Sequence, residues 1–169
     1  MRLRTYRKNA DFAYIASWLK EERIHALWCA ELFSYPLKQS EFEQYFEENE
    51  GDARYVLTED DGKPVGFCAY AVNEQDNSGF AKFIVIDNSV RGKGYGSRML
   101  SLLLKHAFEI TNVERVGLRV FRQNHAAINC YRKAGFSEIV EIPDTSGFHG
   151  EVWEKYTMIA NAHAADTVE

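Results

Sequence analysis

The amino-acid sequence predicts a single α/β (α+β) domain, and three observations carry that expectation. The chain has 169 residues, 46% hydrophobic and 27% charged, enough for one core of ordinary size. Helical and strand periodicities interleave along it: helices first, then an antiparallel meander, then strand–helix–strand–helix–strand. No internal repeat, linker or low-complexity block interrupts that order. Residues 1–160 are therefore read as one domain and 161–169 as a frayed tail.

Taken in order, residues 2–7, RLRTYR, form the first expected strand. Asn9 or Asp11 is placed to cap the next helix, with Phe12, Ile15, Ala16 and Leu19 on its apolar face. Ile24, Leu27, Trp28 and Leu32 predict a second helix over 21–33, broken at Ser34-Tyr35-Pro36. Ser40 and Glu43 match a capping box for a short helix over 41–48. Strands 53–60 and 63–72 flank Asp61-Gly62, a hairpin signal. FAKFIVID, 80–87, is nearly continuous in apolar residues, as a central strand should be. The helix over 94–110 is apolar around much of its circumference and belongs against a sheet. A strand over 113–121 and a helix from Asn124 to Ala134 follow, with Gly135 as its C-terminal cap. Strands 136–142 and 151–160 are expected to close the chain as a hairpin pair around the Gly147–Gly150 loop.

Bulk properties narrow the function. Net charge is −5, which argues against broad nucleic-acid binding and tolerates a cationic substrate. Cys29, Cys68 and Cys130 are far apart and odd in number, the usage of reduced thiols in a cytoplasmic protein. His25, His106, His125, His149 and His163 are scattered, with no metal-ligand spacing, so no metal is expected. No window approaches 18 consecutive apolar residues and the N-terminus has no signal core, so no membrane association is expected.

The chemistry concentrates at RGKGYGSRML, residues 91–100. Gly92, Gly94 and Gly96 open the mouth of a helix, and Arg91 and Lys93 add positive charge. A helix N-terminus presents unpaired N–H groups and partial positive charge, so the guest that fits is a phosphate or pyrophosphate. The spacing is neither a Walker A loop nor G-x-G-x-x-G. Downstream, NHAAINCYRKAGF places Asn124 and Tyr131 seven residues apart on one helix face.

R-x-x-G-x-G after an apolar strand, followed by Asn-x-x-Ala-x-x-x-Tyr-x-x-x-Gly-Phe, resembles the GCN5-related N-acetyltransferase (GNAT) family. The resemblance is specific over residues 80–136 and looser in element order elsewhere. It implies a mixed, mostly antiparallel central sheet with helices on both faces. It further implies an acetyl-CoA-dependent N-acetyltransferase acting on a primary amine by direct attack on the thioester. Acetyl-CoA pyrophosphate would lie on the backbone of Arg91, Gly92, Lys93, Gly94, Tyr95 and Gly96. The pantetheine arm and the acetyl carbonyl would be bound by the exposed backbone at Ile84 and Ile86, with Asn124 close to the arm. Tyr131 would protonate the departing thiolate, with Cys130 turned to another face of its helix. Some relatives carry a glutamate base on the strand before the asparagine motif; here that position is Arg119. Glu31, His25 and His149 are the other candidates for the base. By analogy the acceptor would lie between the early helices and residues 143–150, against Trp28, Phe33, Tyr35 and Phe148. A small-molecule amine and a peptide or protein acceptor both remain open, as do a monomer and a homodimer. A non-catalytic CoA-binding module of the same fold is the alternative.

Overall fold

A computed structural model describes residues 1–162 of the chain; the last seven residues of the expected tail lie outside them. Among the described residues, five α-helices pack on an eight-stranded sheet. The strands are β1 (Arg2–Thr5), β2 (Ala53–Thr58), β3 (Pro64–Asn73), β4 (Ser78–Ile86), β5 (Arg115–Phe121), β6 (Ser137–Glu138), β7 (Asp144–Phe148) and β8 (Glu151–Asn161). The helices are α1 (Lys8–Trp18), α2 (Glu22–Cys29), α3 (Gln39–Glu48), α4 (Tyr95–Glu109) and α5 (His125–Lys133).

The sheet order is β1-β2-β3-β4-β5-β8-β6, with β7 also on β8. Every pairing is antiparallel except β4–β5. Side chains alternate across the strands, so each face carries its own core. On one face Met99, Leu100 and Leu103 of α4 and Ile128 of α5 meet Leu118 and Met158. On the other, α1, α2 and α3 bring Ile15, Cys29, Phe42 and Phe46 against Val56, Phe67 and Phe83. The mixed sheet with helices on both faces is the expected architecture.

Several local expectations give way to longer-range contacts. Neither Asn9 nor Asp11 is the N-cap of α1; that position is Arg7. Asp11 lies inside the first turn, where it accepts bonds from Arg4 Nη1 and Nη2 at 2.8 Å and from the Arg7 N–H at 2.7 Å. Burial opposes ionisation of Asp11, but Arg4 and the Arg7 N–H outweigh it and hold the carboxyl below its ordinary value. Such a group stabilises the fold above its unfolded pKa of about 3.9, and the contribution is lost as pH falls through the lower folded value. Asp11→Ala is expected to cost about 2 kcal/mol in urea denaturation at neutral pH, and less in acid where the wild type has already lost the same bonds.

The capping box of α3 does not form either. The N-cap is Lys38, and Glu43 turns inward to accept from Tyr6 Oη at 2.7 Å and Arg54 Nη1 at 2.8 Å. Helix α2 stops at Cys29 because Ala30 adopts a positive φ of 55°, and Leu32, expected on its apolar face, is exposed. Finally, the hairpin partner of β8 is β7, turning at His149 and Gly150. Of residues 136–142 only Ser137 and Glu138 pair with β8, at its far end.

Candidate active site

The cleft originates in the sheet. β4 and β5 pair only at Ser78–Arg115, Gly79–Val116 and Phe80–Gly117; past Phe80 the two strands part. Over the same stretch β4 bulges: Phe83 and Ile84 face Cys68 alone, and Phe83 has a φ of 53°. Backbone groups of β4 that would otherwise bond β5 are thereby left facing a cavity of about 360 Å³.

The structure brings nearly all of the expected site residues to this cavity. Ile84 and Ile86 line it from β4, Arg91, Gly92, Gly94, Tyr95 and Gly96 from the loop, and Asn124 and Tyr131 from α5. Lys93 does not line it and is exposed.

The three glycines serve different ends. Gly92 and Gly94 have φ of 76° and 81°, with open space where a Cβ would stand, so backbone conformation selects glycine. Gly94 is the N-cap of α4, which has no side-chain cap, so the first-turn N–H groups stay free for an anion. Gly96 instead permits close packing, since a Cβ there would lie 2.7 Å from Cys130 Sγ. Cys130, one residue before Tyr131 on α5, also lines the cleft and packs on the start of α4. The Tyr95 hydroxyl donates to Glu59 Oε1 at 2.6 Å and Arg91 Nε to the Ile86 carbonyl at 3.4 Å, pinning the loop at both ends.

Among the described residues, the ionisable side chains on the wall are four cations, the Cys130 thiol and the phenols of Tyr131 and Tyr95, the last committed to Glu59. Lys82 is committed to Asp52 at 2.6 Å and Arg119 to Asp144 at 2.5 Å. Arg91 and Lys133 remain to meet an anionic guest. The Asn124 Oδ1 accepts from the Ala127 N–H at 3.3 Å and caps α5, which leaves its amide NH2 for a ligand. Tyr131 is 6% exposed. Burial, together with the neighbouring Cys130 and Cys68 thiols, pushes its phenol far above the ordinary value, so it holds its proton throughout the physiological range.

Two residues of this wall each seal a polar atom behind it. Trp28 Nε1 and Arg119 Nε are buried with no partner among the described residues, each at a penalty of about 1–3 kcal/mol. Trp28, expected against the acceptor, therefore faces this cleft instead.

A second cavity of about 270 Å³ opens between α2 and the β7–β8 hairpin. Here the expected Phe33, Tyr35 and Phe148 meet His25 and Glu31, joined by Glu22. No Lys or Arg lines it among the described residues. Burial lowers the His25 pKa, against the opposing pull of Glu22 and Glu41, so the imidazole is neutral at physiological pH. His149 stays outside, its Nε2 3.0 Å from Glu22 Oε1. Arg23 grips Glu151 with two bonds of 2.9 and 3.1 Å, and with the Trp153 N–H it pulls the Glu151 carboxyl down to about 2. These contacts lock α2 to the hairpin. Glu22, Phe121, Ser146 and Trp153 were absent from the sequence-based candidates; they join the cavity through pairings across the chain.

Among the described residues no helix is long and apolar enough to cross a membrane, and no group of three or more His, Cys, Asp or Glu is placed to hold a metal.

The family described as acetyltransferase (GNAT) matches residues 13–136. The spermine/spermidine N(1)-acetyltransferase of Bacillus subtilis (strain 168) is 33% identical over 82 residues, 45% of this chain and 54% of that protein. The chain thus spans about half the length of this curated relative. The spermidine N(1)-acetyltransferase of Escherichia coli (strain K12) is 24% identical over 130 residues, 77% of this chain and 69% of that one. The crystal structure of spermidine N-acetyltransferase from Vibrio cholerae in complex with CoA and spermine superposes with a TM-score of 0.81 at 20% identity, covering 96% of this chain and 95% of that chain; at that identity it speaks for the fold. The family match takes in the parted strands, the glycine loop and the Tyr131 helix together, and the chain belongs to the acetyltransferase (GNAT) family.

Proposed function

We propose that residues 1–160 act as one N-acetyltransferase that moves the acetyl group of acetyl-CoA onto a primary amine of a polycationic acceptor of the polyamine class. One observation carries the reaction: the parted β4–β5 cleft has an uncapped helix N-terminus at its mouth and a buried, protonated Tyr131 on its wall. The first feature suits a pyrophosphate and the second suits a leaving thiolate. The glycine loop would hold the pyrophosphate, with Arg91 and Lys133 offsetting its charge. The amide NH2 of Asn124 and the backbone at Ile84 and Ile86 would guide the pantetheine arm.

In the transfer, the neutral amine attacks the thioester carbonyl, its π pair moves to oxygen, and collapse of the adduct breaks the C–S bond. The Tyr131 phenol gives its proton to sulfur, and the amine proton leaves to water, from which Tyr131 is recharged. A purely CoA-binding role would not require a protonated phenol on the wall.

The acceptor class rests on the second cavity, where Glu22 and Glu31 meet aromatic rings and a neutral His25. Carboxylates and aromatic faces attract ammonium groups. The substrates named for the Bacillus and Escherichia relatives point the same way. The free thiols of Cys29, Cys68 and Cys130 fit a cytoplasmic setting. Glu31→Gln is expected to raise KM for spermidine about threefold, as an exposed charge should, without altering acetyl-CoA affinity; initial rates and calorimetry check both. Preference for spermidine over a simple alkyl monoamine tests the class, and equal kcat/KM for the two would contradict it.

A further inference from the structure

We propose that Glu22 is the seat for an outer ammonium group of the acceptor, and that the His149 imidazole fills that seat until the acceptor arrives. This deepens the polyamine reading above and rests on it. Glu22 and Glu31 are the carboxylates that line the second cavity among the described residues, and no Lys or Arg lines it to offset them. Glu22 already faces a ring nitrogen, with His149 Nε2 3.0 Å from its Oε1. A carboxylate only accepts, so this bond requires the proton on Nε2. An ammonium N–H would bond the same oxygen at about the same distance, near 3 Å.

The surrounding charges leave Glu22 open to such an exchange. Arg23, next along α2, turns instead to Glu151 with bonds of 2.9 and 3.1 Å, and its guanidinium lies 5.1 Å from the centroid of the Trp153 ring. Its charge therefore serves β8 and not the cavity. His25, in the same cavity, stays neutral because burial lowers its pKa. Charged groups facing His149 from the elements packed on it are Glu22 and Arg23 from α2 and Glu151 from β8. The imidazole packs on Phe148, with ring centroids 4.4 Å apart, and Phe148 lines the cavity. An ammonium taking the place of the imidazole would meet the same aromatic ring.

The seat is easily vacated. His149 stands in the β7–β8 turn with a φ of 45°, and its side chain is 66% exposed against 48% for Glu22. A pair so exposed is weak, so a polycation can displace it. The Arg23–Glu151 clasp persists in neutral and mildly acidic solution, because the Glu151 carboxyl is held down at about 2. The cavity walls therefore stay in place when His149 leaves. An imidazolium is held by a carboxylate more tightly than a neutral imidazole. An incoming ammonium that displaces the ring thus expels a proton, and by linkage acceptor affinity falls as pH falls.

The test is calorimetric titration of spermidine into the full chain with saturating CoA, in buffers of different ionisation enthalpy. Alkyl ammonium groups ordinarily titrate near about 10, carboxyl groups near about 4 and imidazoles near about 6.5, so between about pH 5.5 and 7 spermidine keeps its charge while imidazoles titrate. The phosphates of CoA titrate alike in every variant, so proton release is read as the difference from His149→Gln. The wild type should bind spermidine about threefold more weakly at about pH 5.5 than at about pH 7, and release a fraction of a proton that His149→Gln does not. His149→Gln should bind equally at both pH values. Glu22→Gln should bind about fivefold more weakly than the wild type at about pH 7, with no pH dependence and no extra proton release. Equal wild-type affinities at the two pH values would overturn the proposal, as would a pH dependence that persists in His149→Gln, which would assign it to another group. Both positions are exposed, and circular dichroism checks folding; should one variant fail to fold, the other serves as the reference. Spermidine that is acetylated but binds without pH dependence overturns the seat and leaves the acetyltransferase reading standing. Spermidine that binds with the expected proton release but is never acetylated overturns that reading and supports the seat. Spermidine that binds at neither pH overturns both the acceptor class and the seat.

Discussion

Tyr131→Phe is expected to lower kcat about a hundredfold while leaving acetyl-CoA affinity nearly unchanged, the signature of a general acid. The substitution removes one oxygen and keeps the ring, which packs against Phe136 at 6.3 Å between centroids. Stability should therefore change little. The effect should be large because burial and the adjacent thiols keep the phenol protonated, and no carboxylate or imidazole lines the cleft among the described residues to replace it. Single-turnover rates beside calorimetry separate chemistry from binding. Wild-type kcat in the variant, with chemistry rate-limiting, would remove Tyr131 from the mechanism.

Gly94→Asp should weaken acetyl-CoA binding by about a hundredfold, and the reason is charge more than collision. Nothing lies within 4 Å of a Cβ built at Gly94. The backbone there is left-handed, at φ 81°, a conformation that aspartate tolerates better than most residues. As the N-cap of α4, an aspartate would even satisfy first-turn N–H groups. Those same N–H groups are the anion site, so helix stability and pyrophosphate affinity should move apart. The expected result is a near-normal Tm with greatly reduced affinity. Gly94→Ala, which carries the backbone strain without the charge, should lose much less affinity. Equal losses in the two variants would put strain ahead of electrostatics.

These two residues were legible in the sequence because their signals are local. Glycines at 92, 94 and 96 before an apolar helix, and Asn124 and Tyr131 on one helix face, follow from spacing alone, and the structure brings them to one cleft. What escaped was set by distant partners. Asp11 and Glu43 look like caps, yet each is drawn to an arginine, Arg4 or Arg54, on the sheet. Residues 144–148, DTSGF, lack apolar alternation, so β7 was hidden and 136–142 was expected in its place. The packing of Cys130 on Gly96 is fixed by the α4–α5 approach and carries no local signal. The second cavity forms only when α2 meets the β7–β8 hairpin, so Glu22 and Trp153 carried no signal of their own. The unpaired nitrogens of Trp28 and Arg119 are likewise a property of packing.

The most direct measurement is steady-state acetylation of spermidine by the purified protein, following release of the CoA thiol and identifying the product by mass spectrometry. The account predicts thiol release that saturates in both acetyl-CoA and spermidine, with one acetyl group on a primary amine of the product. Acetyl-CoA binding without thiol release above the uncatalysed rate, for spermidine and for other primary amines, would contradict it.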